Sequence, residues 1–404
     1  VKALGIIITA LALPLVASTA ALAAEISTRE IPMTPVLSGN GAVWVAGRSG
    51  GGIAVRRAQP GAKPMTVQSL APHTPFEGHF LIGDLAASDA RVLLAAYGFD
   101  SLGPDRGNRP AYIDWLRGPP AGPLEQIDTC PGEEFPQLRS VDVSGSAYAY
   151  RRCDDQLGHV EIRDDGTPPD SPPRAVGAGG FGARIAGRYV AWLDGQYSRL
   201  STHNLTDIVV YDRVAGQEVY RVPRSQIPGV VSSLDLQDDG KVAFDYGLKA
   251  RHSEPRAVGW ASPAEPRVHR LPPLDSALLH DVRIGRDTIA YETGRQFDGI
   301  VANAQVGTSD LVGHTKLFFK GADDNVAAES FDFDGRRLLW RQLGCARWHL
   351  EIRNVSSGRV AAEPLRCRLR ILGHPVVKRG AVTLRLGCAP LARPCYFAVT
   401  LRTG

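Results

Sequence analysis

Eleven side chains capable of chemistry fall within four polar stretches. Asp100, Asp105 and Arg106 lie in AAYGFDSLGPDRGNRPAY, and Tyr197, Arg199 and His203 in LDGQYSRLSTHNLTD. His252 lies in DYGLKARHSEPRAV, and Arg295, Asp298, Asp310 and His314 in ETGRQFDGIVANAQVGTSDLVGHTK. Carboxylates and histidines brought to one point can exchange protons with a substrate, and arginines beside them can seat an anionic group. Taken singly, each reads first as a solvated loop residue. Only convergence on a common point would make them a binding site.

Patterns that carry a reaction by themselves are thin. Gly177, Gly179 and Gly182 satisfy G-x-G-x-x-G, but they follow GTPPDSPPRAV and lead into a strand. Dinucleotide binding needs a preceding strand and a following helix whose N-terminus meets the pyrophosphate. The glycines therefore read as a connection between strands. G-x-S-x-G, Walker A, H-E-x-x-H and EF-hand patterns do not occur. The acidic stretches DLQDDG and FDFDG read as turns rather than calcium loops. No catalytic residue, metal ligand or cofactor is assigned.

The six cysteines, Cys130, Cys153, Cys345, Cys367, Cys388 and Cys395, all follow an N-terminal stretch typical of an export signal. That stretch has Lys2, an uncharged run from Ala3 to Ala20, and small residues at Ala21 and Ala23 before Glu25. Cleavage is expected near Ala24, with residues 1–23 removed and the mature protein secreted or held outside the cytoplasm. No cysteine follows the small residues to carry a lipid. In an oxidising compartment six cysteines read as three disulfides. Cys130–Cys153, Cys345–Cys367 and Cys388–Cys395 are favoured, and a scheme with Cys345–Cys395 stays open. The formal charge of +4, or +3 without Lys2, is too small for 43.4 kDa to grip nucleic acid or acidic lipid.

The elements that must position these residues are legible in a recurring phrase. A turn residue followed by a short apolar run ends in a large side chain at Trp44, Leu94, Tyr150, Trp192, Phe244, Tyr291 and Trp340, spaced 42 to 56 residues apart. A second pair of strands often follows, as in TDIVVYDRVAGQEVYRV, where Gly216 closes a hairpin turn. One module is thus four antiparallel strands. Repetition every 40 to 50 residues or so indicates a β-propeller, because sheets stacked around an axis cover one another's apolar faces. Seven blades are expected over residues 24–370, with six and eight open because terminal repeats are atypical. The large residues become core between blades, each contributing roughly 2–3 kcal/mol by burial. Residues 371–404 read as a short β segment pinned by a disulfide, either closing strands or the start of a small sandwich.

The stretch FDFDGRRLLWRQLGCARWHLEIRNVSSGRVAAEPL resembles one repeat of the TolB-like or WD40-like propellers of bacterial envelopes, where an Asp-Gly turn precedes a strand ending in an aromatic. The strong Asp-Gly signal stands at Asp239-Gly240 and Asp334-Gly335. The resemblance implies an interaction platform more than an activity. The expected function is that of an exported, non-catalytic, monomeric propeller binding a protein, peptide or envelope glycan. The four polar stretches, read as long loops between second and third strands, would supply the binding face. The alternative is a hydrolase or lyase acting on a sugar or lactone at the channel mouth.

Overall fold

The computed structural model describes residues 24–389 apart from 49–50, 73–79, 100–109, 132–140, 153–158, 165–166, 168–170, 172–173, 179, 196–204, 248–255, 273–278, 298–299, 321–325, 328–330, 344–347, 357–367, 372–375, 379–380 and 384–385. Strands carry nearly all of it. Seven antiparallel sheets follow one another at 33–70, 80–131, 141–178, 180–222, 230–270, 279–320 and 331–354. Six of these blades take four consecutive strands in simple up-and-down order. In the sixth, the short strand Val326–Ala327 also pairs with the third strand, Ile300–Asp310.

The seventh blade is completed from the other end of the chain. Its own strands are Phe331–Phe333, Arg337–Leu343 and Trp348–Asn354, and its outermost strand is Ala24–Thr28, with Ile26 opposite Leu350. Among the described residues, closure therefore comes from the N-terminus. The C-terminal segment is instead a hairpin, Arg368–Ile371 on Leu386–Ala389 and Val376–Lys378 on Ala381–Thr383. No disulfide is present among the described residues, and the side chains of all six cysteines lie outside them. The expected disulfide pin of this segment thus finds no support.

The core is divided among the interfaces. Buried apolar side chains form seven clusters, one between each pair of neighbouring blades, including the seventh and first. The seven large residues at the end of the recurring phrase are all buried, and each packs against the preceding blade: Trp44 against the seventh, Leu94 against the first, Trp192 against the third. A sheet with both faces covered in this way needs apolar residues on both sides of its central strands. The strand Gly41–Gly47 accordingly has six consecutive buried residues.

The first strand of each blade, for example Val141–Ser144 or Leu279–Gly285, lies against the first strands of both neighbours, so these seven strands form a closed inner ring. Because strands alternate in direction, the turns between first and second strands share one face with the turns between third and fourth. That tight-turn face lies opposite the connections between second and third strands.

Candidate functional site

The inner ring encloses a cavity of about 440 Å³ that opens among the tight turns. One position of the repeat lines its wall: the residue paired with the one just before the large side chain that ends the recurring phrase. Around the ring this position is Val36, Ala86, Asp142, Arg184, Asp235, Arg283 and Asp332. Blades three to seven thus carry an acid, a base, an acid, a base and an acid. Blades one and two carry apolar residues there.

Each charged member reaches forward to the next blade. Asp142 accepts from the Ile185 N–H at 2.8 Å, Asp235 from the Ile284 N–H at 2.7 Å, and Asp332 from the Leu37 N–H at 2.8 Å across the ring closure. Arg184 Nε donates to the Leu234 carbonyl at 2.7 Å and stands 3.7 Å from Asp235. Arg283 Nε lies 3.8 Å from Asp332, and its Nη1 donates to Asp281 at 2.7 Å. Beside this belt the turns are also linked. Ser38 Oγ donates to Ser88 O, Ser88 Oγ to Gly145 O, and Gly187 N–H to Ser144 Oγ. The Asp287 N–H donates to Gln237, and Arg337 to Gly39 O.

Burial sets the electrostatics of the belt. It pushes the Asp235 carboxyl up to about 7, against the pull of Arg283 and Arg184. It also raises Asp142 above the ordinary carboxylate range, opposed by Arg184 and by two backbone hydrogen bonds. For Arg283 burial favours loss of the proton, but Asp281, Asp235 and Asp332 outweigh it and keep the guanidinium charged. These are the effects of desolvation and opposite charge acting together.

Of the residues expected from sequence, Asp100, Asp105, Arg106, Tyr197, Arg199, His203, His252 and Asp298 lie outside the described residues. Arg295 is placed by its backbone, opposite Ala302. The stretch around it is not a loop: Thr288–Phe297 and Ile300–Asp310 run as paired strands almost to their tip. Asp310 and His314 therefore sit at the far end of the sixth blade, in the turn between its third and fourth strands, with His314 Nδ1 2.7 Å from Asp310 Oδ2. The described residues do not bring these two together with Arg295. His314 is exposed, and its N–H and ring both serve to hold Asp310 and the turn.

Of the three glycines in the G-x-G-x-x-G pattern, Gly179 lies outside the described residues and Gly177 has a packing role. A Cβ on Gly177 would stand 2.6 Å from the Trp192 ring, and one on the nearby Gly180 2.9 Å from it. The indole lies over this backbone, so Gly177 and Gly180 admit Trp192.

No protein-family model matches the chain, and no curated protein does. Among solved structures, the β-propeller domain of the trilobed protease from Pyrococcus furiosus is similar at 10% identity, over 80% of this chain and 97% of that chain, with a TM-score of 0.52. The chain is a seven-bladed β-propeller. That protease domain is described as having an open velcro topology, whereas here Ala24–Thr28 closes the ring. A prolyl endopeptidase structure is similar at 13% identity over 91% of this chain and 55% of that chain, TM-score 0.49. TolB from Acinetobacter baumannii is similar at 11% identity over 77% of this chain and 79% of that chain, TM-score 0.38. The chain spans little more than half the length of the prolyl endopeptidase. At these identities the likeness bears on fold alone.

Proposed function

We propose that the protein is an exported, monomeric binding propeller without catalytic turnover, which seats a small ligand or a chain segment of a protein, peptide or envelope glycan in the axial cavity. The long loops of the opposite face then serve contacts with a larger partner. One observation carries this reading. The ring has a polar cavity of about 440 Å³, in the range of ligand sites, whose wall is held rigid by blade-to-blade hydrogen bonds. Among the described residues the cavity's lining holds no histidine, and its belt carboxylates already accept from backbone N–H groups. That favours holding a ligand over acid–base turnover of a sugar or lactone. No helix among the described residues is long and apolar enough to cross a membrane.

Ligand-observed NMR with a library of small polar fragments tests the reading. Ala87 lines the cavity on its apolar side, so Ala87→Phe narrows the cavity without touching the belt. The expected result is a set of fragments bound by the wild type and released by Ala87→Phe. Fragments that bind equally to both proteins would place the binding surface elsewhere.

A further inference from the structure

Resting on the cavity reading above, the charges that line the cavity show which chemistry its ligand must bring. Its acids are largely spent. Asp142, Asp235 and Asp332 accept from backbone N–H groups, and Asp334 is taken by Arg337 at 2.7 Å. Asp287, beside the mouth, is held by Lys241 at 2.9 Å and by Gln237. The bases are only partly spent: Arg184 is held by the Leu234 and Ala183 carbonyls. Arg283 is 3% exposed, and its Nη2 is buried without a hydrogen-bond partner. That nitrogen is closed to the cavity, so Arg283 bears on a ligand there through its charge and not through a hydrogen bond. At the mouth, Arg286 and Arg336 are exposed, and among the described residues neither guanidinium has a hydrogen bond or ion pair. The Arg286 stem passes over the neighbouring blade, with its Cγ 3.2 Å from where a Cβ on Gly335 would stand. Arg336 is the next residue. Two exposed cations thus stand on adjacent blades at one rim of the cavity, and the lining carboxylate without a partner among the described residues is Asp238, on blade five.

The backbone adds an independent sign. Arg286 and Asp287 form the two-residue turn between Gly285 and Thr288, both with positive φ, 52° and 58°. Blades one, three and four place glycine at the first position of the corresponding turn: Gly39, Gly145 and Gly187. Glycine takes this conformation without steric cost, and arginine does not. An arginine kept in a strained turn at the rim of a cavity points to a role for its side chain.

We infer that the mouth of the cavity between blades six and seven is an oxyanion seat, in which Arg286 and Arg336 clasp a carboxylate or phosphate of the ligand and the charge of Arg283 favours it from within the wall. Guanidinium groups suit both anions because their paired N–H groups match two oxygens at once. The ligand is therefore a small molecule or chain end bearing such a group.

Titration calorimetry with inorganic phosphate, succinate and the neutral diamide of succinate tests the seat, using wild type, Arg286→Gly and Arg336→Gln. At least one anion is expected to bind the wild type, the diamide about tenfold more weakly, and each variant should weaken the anion by about fivefold or more. Phosphate and succinate arms together tell which oxyanion fits. Arg286→Gly carries a second readout: its thermal midpoint should rise, because glycine relieves the turn, while its anion affinity falls. A purely structural arginine would lose both or neither. The seat is overturned if the diamide binds as well as succinate, if neither anion binds the wild type, or if both variants retain full affinity. Fragments displaced by Ala87→Phe in those cases would leave the cavity reading standing without the oxyanion seat.

Discussion

Replacing Asp235 by asparagine keeps the outline of the side chain and an acceptor for the Ile284 N–H, but removes the charge that burial opposes. In the folded ring this carboxyl holds its proton up to about pH 7, whereas in the unfolded chain it releases it near the ordinary value of 3.8. Between those limits the folded state binds the extra proton, so unfolding releases it and wild-type stability falls as pH rises. At about 1.36 kcal/mol per pH unit, the span corresponds to a loss of about 4 kcal/mol as an upper limit, complete above about pH 7. Asparagine has no proton to lose there. The stability of Asp235→Asn relative to wild type should therefore climb steadily from about pH 4 to about pH 7 and then level off. The charge of Asp142 also helps to hold Asp235 up, so the difference reads the two carboxylates together. Urea unfolding of the pair across this range, with unchanged slopes confirming the same folded and unfolded states, gives the difference directly. A difference that is flat with pH, or that turns toward wild type as pH rises, would refute the reasoning. It would mean that Arg184 and Arg283 more than offset burial and that the ionised belt is a net source of stability.

Two further outcomes follow from the same packing. Ile26, on the closing strand, is 1% exposed and packs with Leu37, Trp44 and Leu350, so Ile26→Ala should cost roughly 2–4 kcal/mol, read by chemical unfolding; a loss below about 0.5 kcal/mol, the size of a surface change, would mean that the strand does not close the ring in solution. Gly177→Ala drives a Cβ into the Trp192 ring and should cost roughly 1–3 kcal/mol by overpacking and shift the indole fluorescence, while Gly47→Ala, whose Cβ would meet nothing within 4 Å, should do neither.

The blades were legible because one residue per repeat does the same job seven times. Trp44, Leu94, Tyr150, Trp192, Phe244, Tyr291 and Trp340 each bury against the preceding blade, and only large apolar side chains can fill that place. The closing strand was not legible, since Ala24–Thr28 is five residues long and carries no mark of the repeat. The belt escaped for a different reason. Its position holds Val, Ala, Asp and Arg in turn, so no letter recurs, although DLQDDG and FDFDG contained Asp235 and Asp332 all along. The one available signal was position: each charged residue stands two or three before the turn that joins first and second strands. The stretch from Glu292 to Lys316 misled because its glycine, glutamine and asparagine content resembles a loop, yet its register continues to Phe297 opposite Ile300. Backbone pairing carries that extension to its tip.

The alternation of sign around the belt has a consequence for assembly as well as for binding. An apolar inner ring would pack any blade against any other with similar ease, because the interface clusters are built from the same few side-chain types. A charge at the belt does not allow this. Asp142 meets its acceptor role only where Ile185 presents an N–H, and Arg184 only where Leu234 presents a carbonyl. A blade slipped by one residue would leave a buried charge unmatched, at a cost of several kcal/mol. Blades one and two need less of this selection, since the bond from Asp332 to Leu37 and the serine links from Ser38 and Ser88 already define where the ring ends meet. The same alternation leaves Arg283 Nη2 buried without a hydrogen-bond partner among the described residues, a cost set against the register it fixes.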